Sequence, residues 1–238
     1  MRSRPAIALA VMMLTMISGT AVAAAGAVTL PLPHVSTGLV VDPSPMPRQT
    51  EGRVPVSLRL TNTIWTDEGH HLAAATQTRF ELDKGFRYDM SAVAICRDRG
   101  GRDVRSGESR CEVGEVAAGR IQFEVAFPGE EPVKAGGPAV VHKIGPNTVI
   151  LQSWISAPIT AEVQIPIKLD RMGAGNYGVR ATASIPKVAG GYASLVYLGL
   201  RFRKGLFSLA CAKGRIQSKA TNTLADGTVS SVTLLTDC

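Results

Sequence analysis

Residues 195–202 read Leu-Val-Tyr-Leu-Gly-Leu-Arg-Phe, and this stretch decides the predicted fold. Its even-numbered side chains, from Val196 to Phe202, are all apolar, whereas the alternate positions are mixed. A period of two places one face of a β-strand on a core and the other face in water. Gly199, on the mixed face, predicts a bulge or a close approach of another backbone. We therefore predict a strand that is central in its sheet, at least at its beginning.

The same alternation recurs along the chain. It is clear in residues 54–60, 121–127, 163–169 and 179–185, and a last strand is read from Val229, Val232 and Leu234 or Leu235. Turn signals accompany these segments at Asp67-Glu68-Gly69, Gly136-Gly137-Pro138, Gly145-Pro146-Asn147, 173–178, Gly190-Gly191, Lys204-Gly205 and Asp226-Gly227. Many short strands with frequent turns are typical of antiparallel sandwiches and barrels. We predict an all-β antiparallel β-sandwich, jelly-roll or immunoglobulin-like in general architecture.

The first 27 residues have the pattern of a secretory signal peptide. Arg2 and Arg4 precede the uncharged run 6–17, and small residues with A-x-A spacing follow, up to Ala27. The run is shorter than the roughly 20 residues that a membrane span needs. We predict a cleaved N-terminal signal helix (1–27), with a buried helix or an anchor as the alternative. The mature protein is then secreted and lacks a membrane span, with cell-wall association as an option.

Two regions are predicted in the mature chain. Residues 28–50 hold five prolines and read as an extended arm around one short strand at Val40-Val41. Residues 51–238 read as a single β-sandwich domain, because no repeat and no second linker interrupts them.

Composition limits the function classes. The chain is 45% hydrophobic and 19% charged, which excludes extended disorder. Its 26 Lys and Arg against 19 Asp and Glu give +7, and loss of Arg2 and Arg4 leaves 24 minus 19, or +5. This mild basic balance favours anionic partners. Nucleic acid is not predicted, because the chain has only two tryptophans and no interleaving of basic and aromatic residues.

Four cysteines predict two disulfides in a secreted chain, and four cysteines allow three connectivities. We favour Cys96–Cys111 and Cys211–Cys238. Asp226-Gly227 predicts a two-residue hairpin in which paired numbers sum to 453. Cys238 then lies opposite Arg215, only four residues from Cys211. A four-cysteine zinc site is the alternative, although no C-x-x-C spacing supports it.

Five arginines lie between the first two cysteines: Arg97, Arg99, Arg102, Arg105 and Arg110. Three acidic residues reduce the local charge to +2. Guanidinium groups on a disulfide-tied loop are suited to phosphate or carboxylate. The loop is therefore a candidate for anion binding, although a mixed-charge loop of this kind is more often a plain solvated surface.

One dense cluster of acid and imidazole side chains is present. It consists of Asp67, Glu68, His70 and His71. Such groups can bind zinc or act as general acids and bases. Adjacent histidines in an extended segment point to opposite sides, however, which favours a solvated loop. Asp67, His70 and His71 are therefore only weak metal candidates, and we assign no catalytic residue.

No cofactor is predicted. The G-x-G-x-x-G match at 173–178 is followed by strand-like alternation, whereas a dinucleotide site needs a helix there.

The chain resembles a family of secreted β-rich proteins from high-GC Gram-positive bacteria that has no established activity. The residues that carry the resemblance are Asp67 to His71, Phe80 to Lys84, Cys96, Cys111, Val113-Gly114, Phe127-Pro128, Gly175 to Gly178, Ile185 to Gly191, Cys211, Gly214-Arg215, Asp226-Gly227 and Cys238. The resemblance implies a signal peptide, a β-rich fold and the two favoured cysteine pairs. The chain departs from the pattern at Ala73-Ala74 and at Gly114-Glu115-Val116, so those loops are expected to differ.

These observations predict a secreted, disulfide-stabilised, non-catalytic protein with a binding or structural role at or near the cell envelope, where anionic components are the expected partners. Two alternatives are a secreted hydrolase of envelope polymers that uses the Asp67–His71 cluster and a carrier of an apolar ligand. The sequence does not predict an oligomeric state.

Overall fold

The structure is a computed structural model. It describes residues 33–42, 52–67, 71–96, 114–157, 160–211 and 214–237. All of them belong to one compact unit, Pro31–Cys238.

The described residues form twelve strands and one short 3₁₀ turn, Ala189–Gly191. The strands are β1 (His34–Asp42), β2 (Val54–Trp65), β3 (Ala75–Asp83), β4 (Phe86–Tyr88), β5 (Glu115–Val125), β6 (Val133–Lys143), β7 (Thr148–Ile155), β8 (Ala161–Arg171), β9 (Tyr177–Ser184), β10 (Ala193–Leu209), β11 (Arg215–Leu224) and β12 (Val229–Asp237). The all-β class is confirmed. Within this part of the chain, no helix is long and apolar enough to cross a membrane.

All the strands pair antiparallel in one sheet, in the order β1-β2-β10-β5-β6-β7-β8-β9-β3-β11-β12, and β4 pairs with the end of β10. Strands β5 to β9 are a meander in which each strand pairs with the next along the chain. The two edge strands, β1 and β12, come into contact. Beside this contact, Ser230 Oγ donates a hydrogen bond to the Pro33 carbonyl, at 3.1 Å. The sheet is therefore nearly closed into a barrel.

The predicted division into two stacked sheets is not confirmed. Hydrogen bonding continues from β1 to β12 without a break. The 17-residue strand β10 shows how one sheet curls around one core: its register shifts between Leu195 and Tyr197 and again between Phe202 and Phe207. Such bulges bend a strand and increase its twist.

The inward side chains form a continuous apolar core. Phe123, Leu58, Leu151 and Ile165 are among the largest that are fully buried. The remaining cavity in this core has a volume of only about 40 Å³ and an entirely apolar lining. Hydrophobic burial therefore supplies most of the stabilisation, as usual for a domain of this size.

A buried polar contact ties the two ends of the sheet together inside the core. Asn62 Nδ2 on β2 donates to Asn222 Oδ1 on β11, at 3.1 Å, and Thr78 Oγ1 donates to the same oxygen at 2.8 Å. Strands β2 and β11 are the neighbours of the two edge strands. Because a buried amide is costly unless it is hydrogen-bonded, this contact favours the closed arrangement.

The central position predicted for residues 195–202 is confirmed, because β10 lies between β2 and β5. The backbone of Gly199 does lie close to another strand, but the missing Cβ atom that permits this approach is that of Gly119, whereas a Cβ atom on Gly199 itself would meet the side chain of Tyr197. A Cβ atom on Gly119 of β5 would lie 1.8 Å from the Gly199 carbonyl oxygen. Only glycine at position 119 allows the two backbones to come so near.

Two predicted turns are wrong. Gly136-Gly137-Pro138 lies inside β6, where a Cβ atom on Gly137 would lie 2.2 Å from the Trp154 carbonyl oxygen. These glycines therefore permit tight strand packing and do not reverse the chain. Lys204-Gly205 belongs to a bulge within β10.

The predicted register of the last hairpin is wrong by one residue. Thr223 pairs with Val229 and Arg215 pairs with Asp237, so paired numbers sum to 452 and not to 453. The connection is longer than two residues, with Gly227 at a positive φ of 86°. Asp237, and not Cys238, therefore lies opposite Arg215.

The N-terminal arm contributes more than the predicted two-residue strand. Residues 34–42 form the whole of β1, which pairs with β2 along its length.

Candidate anion-binding face

Three arginines project from neighbouring strands on the outer surface of the sheet. Arg59 lies on β2, Arg201 on β10 and Arg120 on β5, and all three are exposed. Arg59 and Arg201 are directly opposite each other, and Arg120 is opposite Gly199, two residues before Arg201. Each side chain points outward because its neighbours in sequence, such as Leu58 and Leu60, point into the core. We call this surface the arginine face.

The three guanidinium groups form no ion pair or hydrogen bond within the described part of the chain. The other described arginines all have partners. Three pair with carboxylates, as Arg180 does with Glu81 at 2.7 Å, and the rest donate to backbone carbonyls or, in one case, to a glutamine side chain. Like charges directly opposite on adjacent strands are destabilising. The requirements of the fold therefore do not explain the pair formed by Arg59 and Arg201.

A bulge in β10 adds two further cations at the end of this face that lies beside Val56 and Leu58 of β2. We call this the lower end. Between Phe202 and Phe207, β10 advances five residues while β2 advances two, from Leu58 to Val56, so three residues are extra. The rings of Phe202 and Phe207 meet edge to face, with centroids 5.3 Å apart, beneath the bulge. Arg203 and Lys204 are exposed there. Bulges of this kind are frequent near functional sites.

Two carboxylates lie near the same end. Glu115 Oε1 is 3.4 Å from Arg203 Nη2, whereas Asp42, opposite Ser57, forms no ion pair with a described residue. The three arginines of the face and the two cations of the bulge are five positive charges. With the two carboxylates, the local charge is +3. The surface is therefore suited to an anionic ligand that approaches from solvent.

An open groove with a volume of about 410 Å³ continues the arginine face in the opposite direction, toward Trp65 at the end of β2. We call this the upper end. Its outward-facing wall consists of Thr63, Trp65, Asp67, Gln122, Glu124, Lys134 and Tyr197. Trp65 is 45% exposed, and its ring stacks on His34, with centroids 5.6 Å apart and planes at 24°. His34 Nε2 is in turn 3.1 Å from Asp67 Oδ1. We call this region the Trp65 groove.

The predicted acid and imidazole cluster is divided between two pairs in the structure. Asp67 pairs with His34, whereas His71 Nδ1 lies 3.0 Å from Glu124 Oε1. Glu68 and His70 lie outside the described residues. Among those described, no group of three or more histidine, cysteine or acidic side chains has the geometry of a metal site. The structure thus shows two separate histidine–carboxylate pairs at the groove.

A second basic cleft, of about 730 Å³, lies at the opposite end of the strands. Its arginines are engaged internally: Arg53 donates to the Gly85 carbonyl, Arg87 donates to the Lys84 carbonyl at 2.9 Å, and Arg215 pairs with Asp237. Burial, followed by the charge of Arg87, lowers the pKa of Arg53. These contacts account for the three arginines of this cleft as structural.

The arginine-rich loop itself lies outside the described residues, with Arg97, Arg99, Arg102, Arg105 and Arg110. The structure shows where both of its ends lie. The Lys143 carbonyl accepts a hydrogen bond from Cys96 N, and Lys143 N donates to the Gly114 carbonyl, both at 2.8 Å. The two ends therefore meet at the start of β5, beside Glu115 and hence near Arg203.

Cys96 and Cys211 are the two cysteines that the structure describes, and neither is a free thiol. Their favoured partners, Cys111 and Cys238, lie outside the described residues. Both disulfide pairs therefore stay predictions.

Sequence reasoning did not find the arginine face. Arg59, Arg120 and Arg201 are each an isolated basic residue within an alternating segment, which is the ordinary pattern of a solvated strand face. Only the strand order β2-β10-β5 and its register bring them together.

No protein-family model, curated protein or solved structure matches this chain.

Proposed function

We propose that this is a secreted, disulfide-stabilised, non-catalytic protein that binds anionic components at or near the cell envelope through the arginine face. The observation that carries the proposal is the pair Arg59 and Arg201, two like charges directly opposite each other without an acidic partner. A fold has no stability reason to place them so, because the pair is repulsive. A ligand with carboxylate or phosphate groups turns the repulsion into attraction, and guanidinium is the side chain best suited to such groups.

Two further observations favour binding by this face. The bulge places Arg203 and Lys204 next to it, and the ends of the predicted arginine-rich loop converge at its lower border. Secretion through the signal peptide brings the protein to the compartment where envelope polymers occur, and the predicted disulfides suit that oxidising compartment.

The two alternative functions receive less support. A carrier of an apolar ligand needs a cavity of about 300 Å³ or more, and the core leaves about 40 Å³. The hydrolase was predicted to use the Asp67–His71 cluster as one site, whereas the described members of that cluster belong to two separate histidine–carboxylate pairs.

The test is a binding measurement on isolated Gram-positive cell walls and on immobilised poly-L-glutamate. It compares the wild type with the double variant Arg59→Gln/Arg201→Gln. We expect the double variant to bind both materials about tenfold more weakly, which is the scale of losing one or two desolvated charge contacts. We also expect wild-type binding at about 0.01 M salt to be lost at about 1 M, where the Debye length falls from about 30 Å to about 3 Å.

The matched control is Lys84→Gln/Lys187→Gln, which removes two exposed positive charges that lie outside the arginine face and form no ion pair with a described residue. Equal losses in the two double variants would mean that only net charge matters, and this would refute a specific face. If the wild type bound neither cell walls nor poly-L-glutamate at low salt, the proposed function would be refuted altogether. Displacement by a single-stranded DNA homopolymer at lower concentration than by poly-L-glutamate would identify a different class of partner and overturn the envelope proposal.

A further inference from the structure

We propose that the anionic partner is an acidic polysaccharide, with Trp65 as the platform on which one of its sugar rings stacks. This inference rests on the proposed function, because it names the chemical class that the arginine face and the adjoining Trp65 groove would bind together. The two regions share strands β2, β5 and β10, so one extended chain can lie across both.

The first observation is the state of Trp65. Tryptophan is enriched at binding interfaces, because its ring combines a large apolar surface with one polar N–H group. Trp65 is 45% exposed, yet its orientation is held by the stack on His34, and His34 is held by Asp67. The ring is thus preorganised with one face used and the rest accessible, which reduces the entropy that a ligand must overcome.

The second observation is the polar lining around this ring. Asp67, Gln122 and Glu124 supply carboxylate and amide oxygens, Tyr197 supplies a hydroxyl and Lys134 supplies an ammonium. Flat aromatic surface flanked by several hydrogen-bonding side chains suits a sugar, whose ring has an apolar face and a rim of hydroxyl groups. A groove of about 410 Å³ is also within the usual range for a small-molecule subsite.

The third observation is that the surface charge changes from negative to positive along β2, from Trp65 to Arg59. Trp65 and Arg59 point to the same side of β2 and are six residues apart, or about 20 Å at the rise of an antiparallel strand. Carboxylates lie near Trp65, whereas unpaired guanidinium groups lie near Arg59 and Arg201. A polymer of neutral sugars would form no ion pairs with the arginines, and a polyanion without sugars would not stack on the exposed ring. An acidic polysaccharide can make both contacts.

The experiment compares two probes that carry the same carboxylate charge, polygalacturonate and poly-L-glutamate. Only the first contains sugar rings. We expect Trp65→Ala to weaken binding of polygalacturonate by about tenfold or more, the loss typical of a truncated aromatic anchor. Binding of poly-L-glutamate should change less than about twofold. The control is Tyr192→Ala, because Tyr192 is equally exposed, at 44%, but lies outside the groove.

A spectroscopic readout tests the contact without relying on loss of affinity. The chain has two tryptophans, so Trp154→Phe leaves Trp65 as the only one. We expect polygalacturonate to change the emission of this variant and poly-L-glutamate to leave it unchanged. The inference is overturned if Trp65→Ala alters both affinities by less than about twofold, or if both probes affect the emission alike. Should the wild type bind neither poly-L-glutamate nor cell walls, the proposed function itself would have failed, which is a separate outcome.

Discussion

Replacing Arg201 with glutamate should make the protein more stable while it abolishes anion binding. In the wild type, Arg201 lies directly opposite Arg59 and diagonally from Arg120, with no acidic partner among the described residues. Glutamate at this position converts two repulsive contacts into attractive ones. A residue that lowers stability where it could raise it is expected at a binding surface.

The magnitude follows from the register. Directly opposite Cβ atoms are about 5.5 Å apart, and with the charges about 7 Å apart in water the repulsion is about 332/(80 × 7), or about 0.6 kcal/mol. Reversing one charge changes the pair energy by about twice that amount, so Arg201→Glu should raise the free energy of unfolding by about 1 kcal/mol. Arg201→Gln, which only removes the repulsion, should give about half.

The assay is urea unfolding at low ionic strength, because urea carries no charge and the salt concentration can be varied separately. The gain should shrink at about 1 M salt, where the Debye length of about 3 Å is shorter than the distance between the charges. Lys187→Glu, at an exposed site away from the face, is the control and should change stability by less than about 0.5 kcal/mol. If Arg201→Glu were no more stable than the wild type at low salt, the arginine face would not be repulsive, and the main support for the proposed function would be lost.

Three further predictions concern the fold. Gly119→Ala should destabilise by about 1–3 kcal/mol in urea, because the new Cβ would lie 1.8 Å from the Gly199 carbonyl oxygen, whereas Ala at the open Gly173 should cost less than 1 kcal/mol. His142 is fully buried, and burial lowers its pKa below the ordinary 6.5, so the unfolded chain takes up the proton first and stability should fall as the pH drops below 6.5. His142→Gln should flatten that part of the pH profile of unfolding, and an unchanged slope would contradict the assignment. Lys143→Met should cost about 2 kcal/mol or more by thermal unfolding, because Lys143 Nζ donates to the Met90 carbonyl at 2.6 Å, and a wild-type-like Tm would count against this bond.

Much of the strand content could be predicted from alternation. Residues 54–60, 121–125 and 195–202 lie in β2, β5 and β10, as the period-two pattern indicates. The pattern was least informative where glycine and proline are frequent, as at Gly136-Gly137-Pro138. There a close-packed neighbour, Trp154, and not a chain reversal, explains the glycine.

The candidate site could be predicted only in part. Asp67 and His71 were identified as candidates from their proximity in sequence, but the structure pairs them with His34 and Glu124, which are 33 and 53 residues away. A basic surface was predicted for the loop 97–110, whereas the arginine face lies on three strands of the sheet. Local patterns do not contain these contacts, because each depends on which strands become neighbours.

By itself, the sequence determined that this protein is built from antiparallel strands and has four cysteines and a mild positive charge. The secretory leader stays a prediction from the sequence. Those properties follow from residue type and from a period of two, which act over a few neighbouring residues. Only the tertiary structure decided that the strands form one nearly closed sheet and that Arg59, Arg120 and Arg201 lie together. The physical reason is that strand order and register are set by long-range pairing, and a shift of one residue would turn each of these side chains into the core.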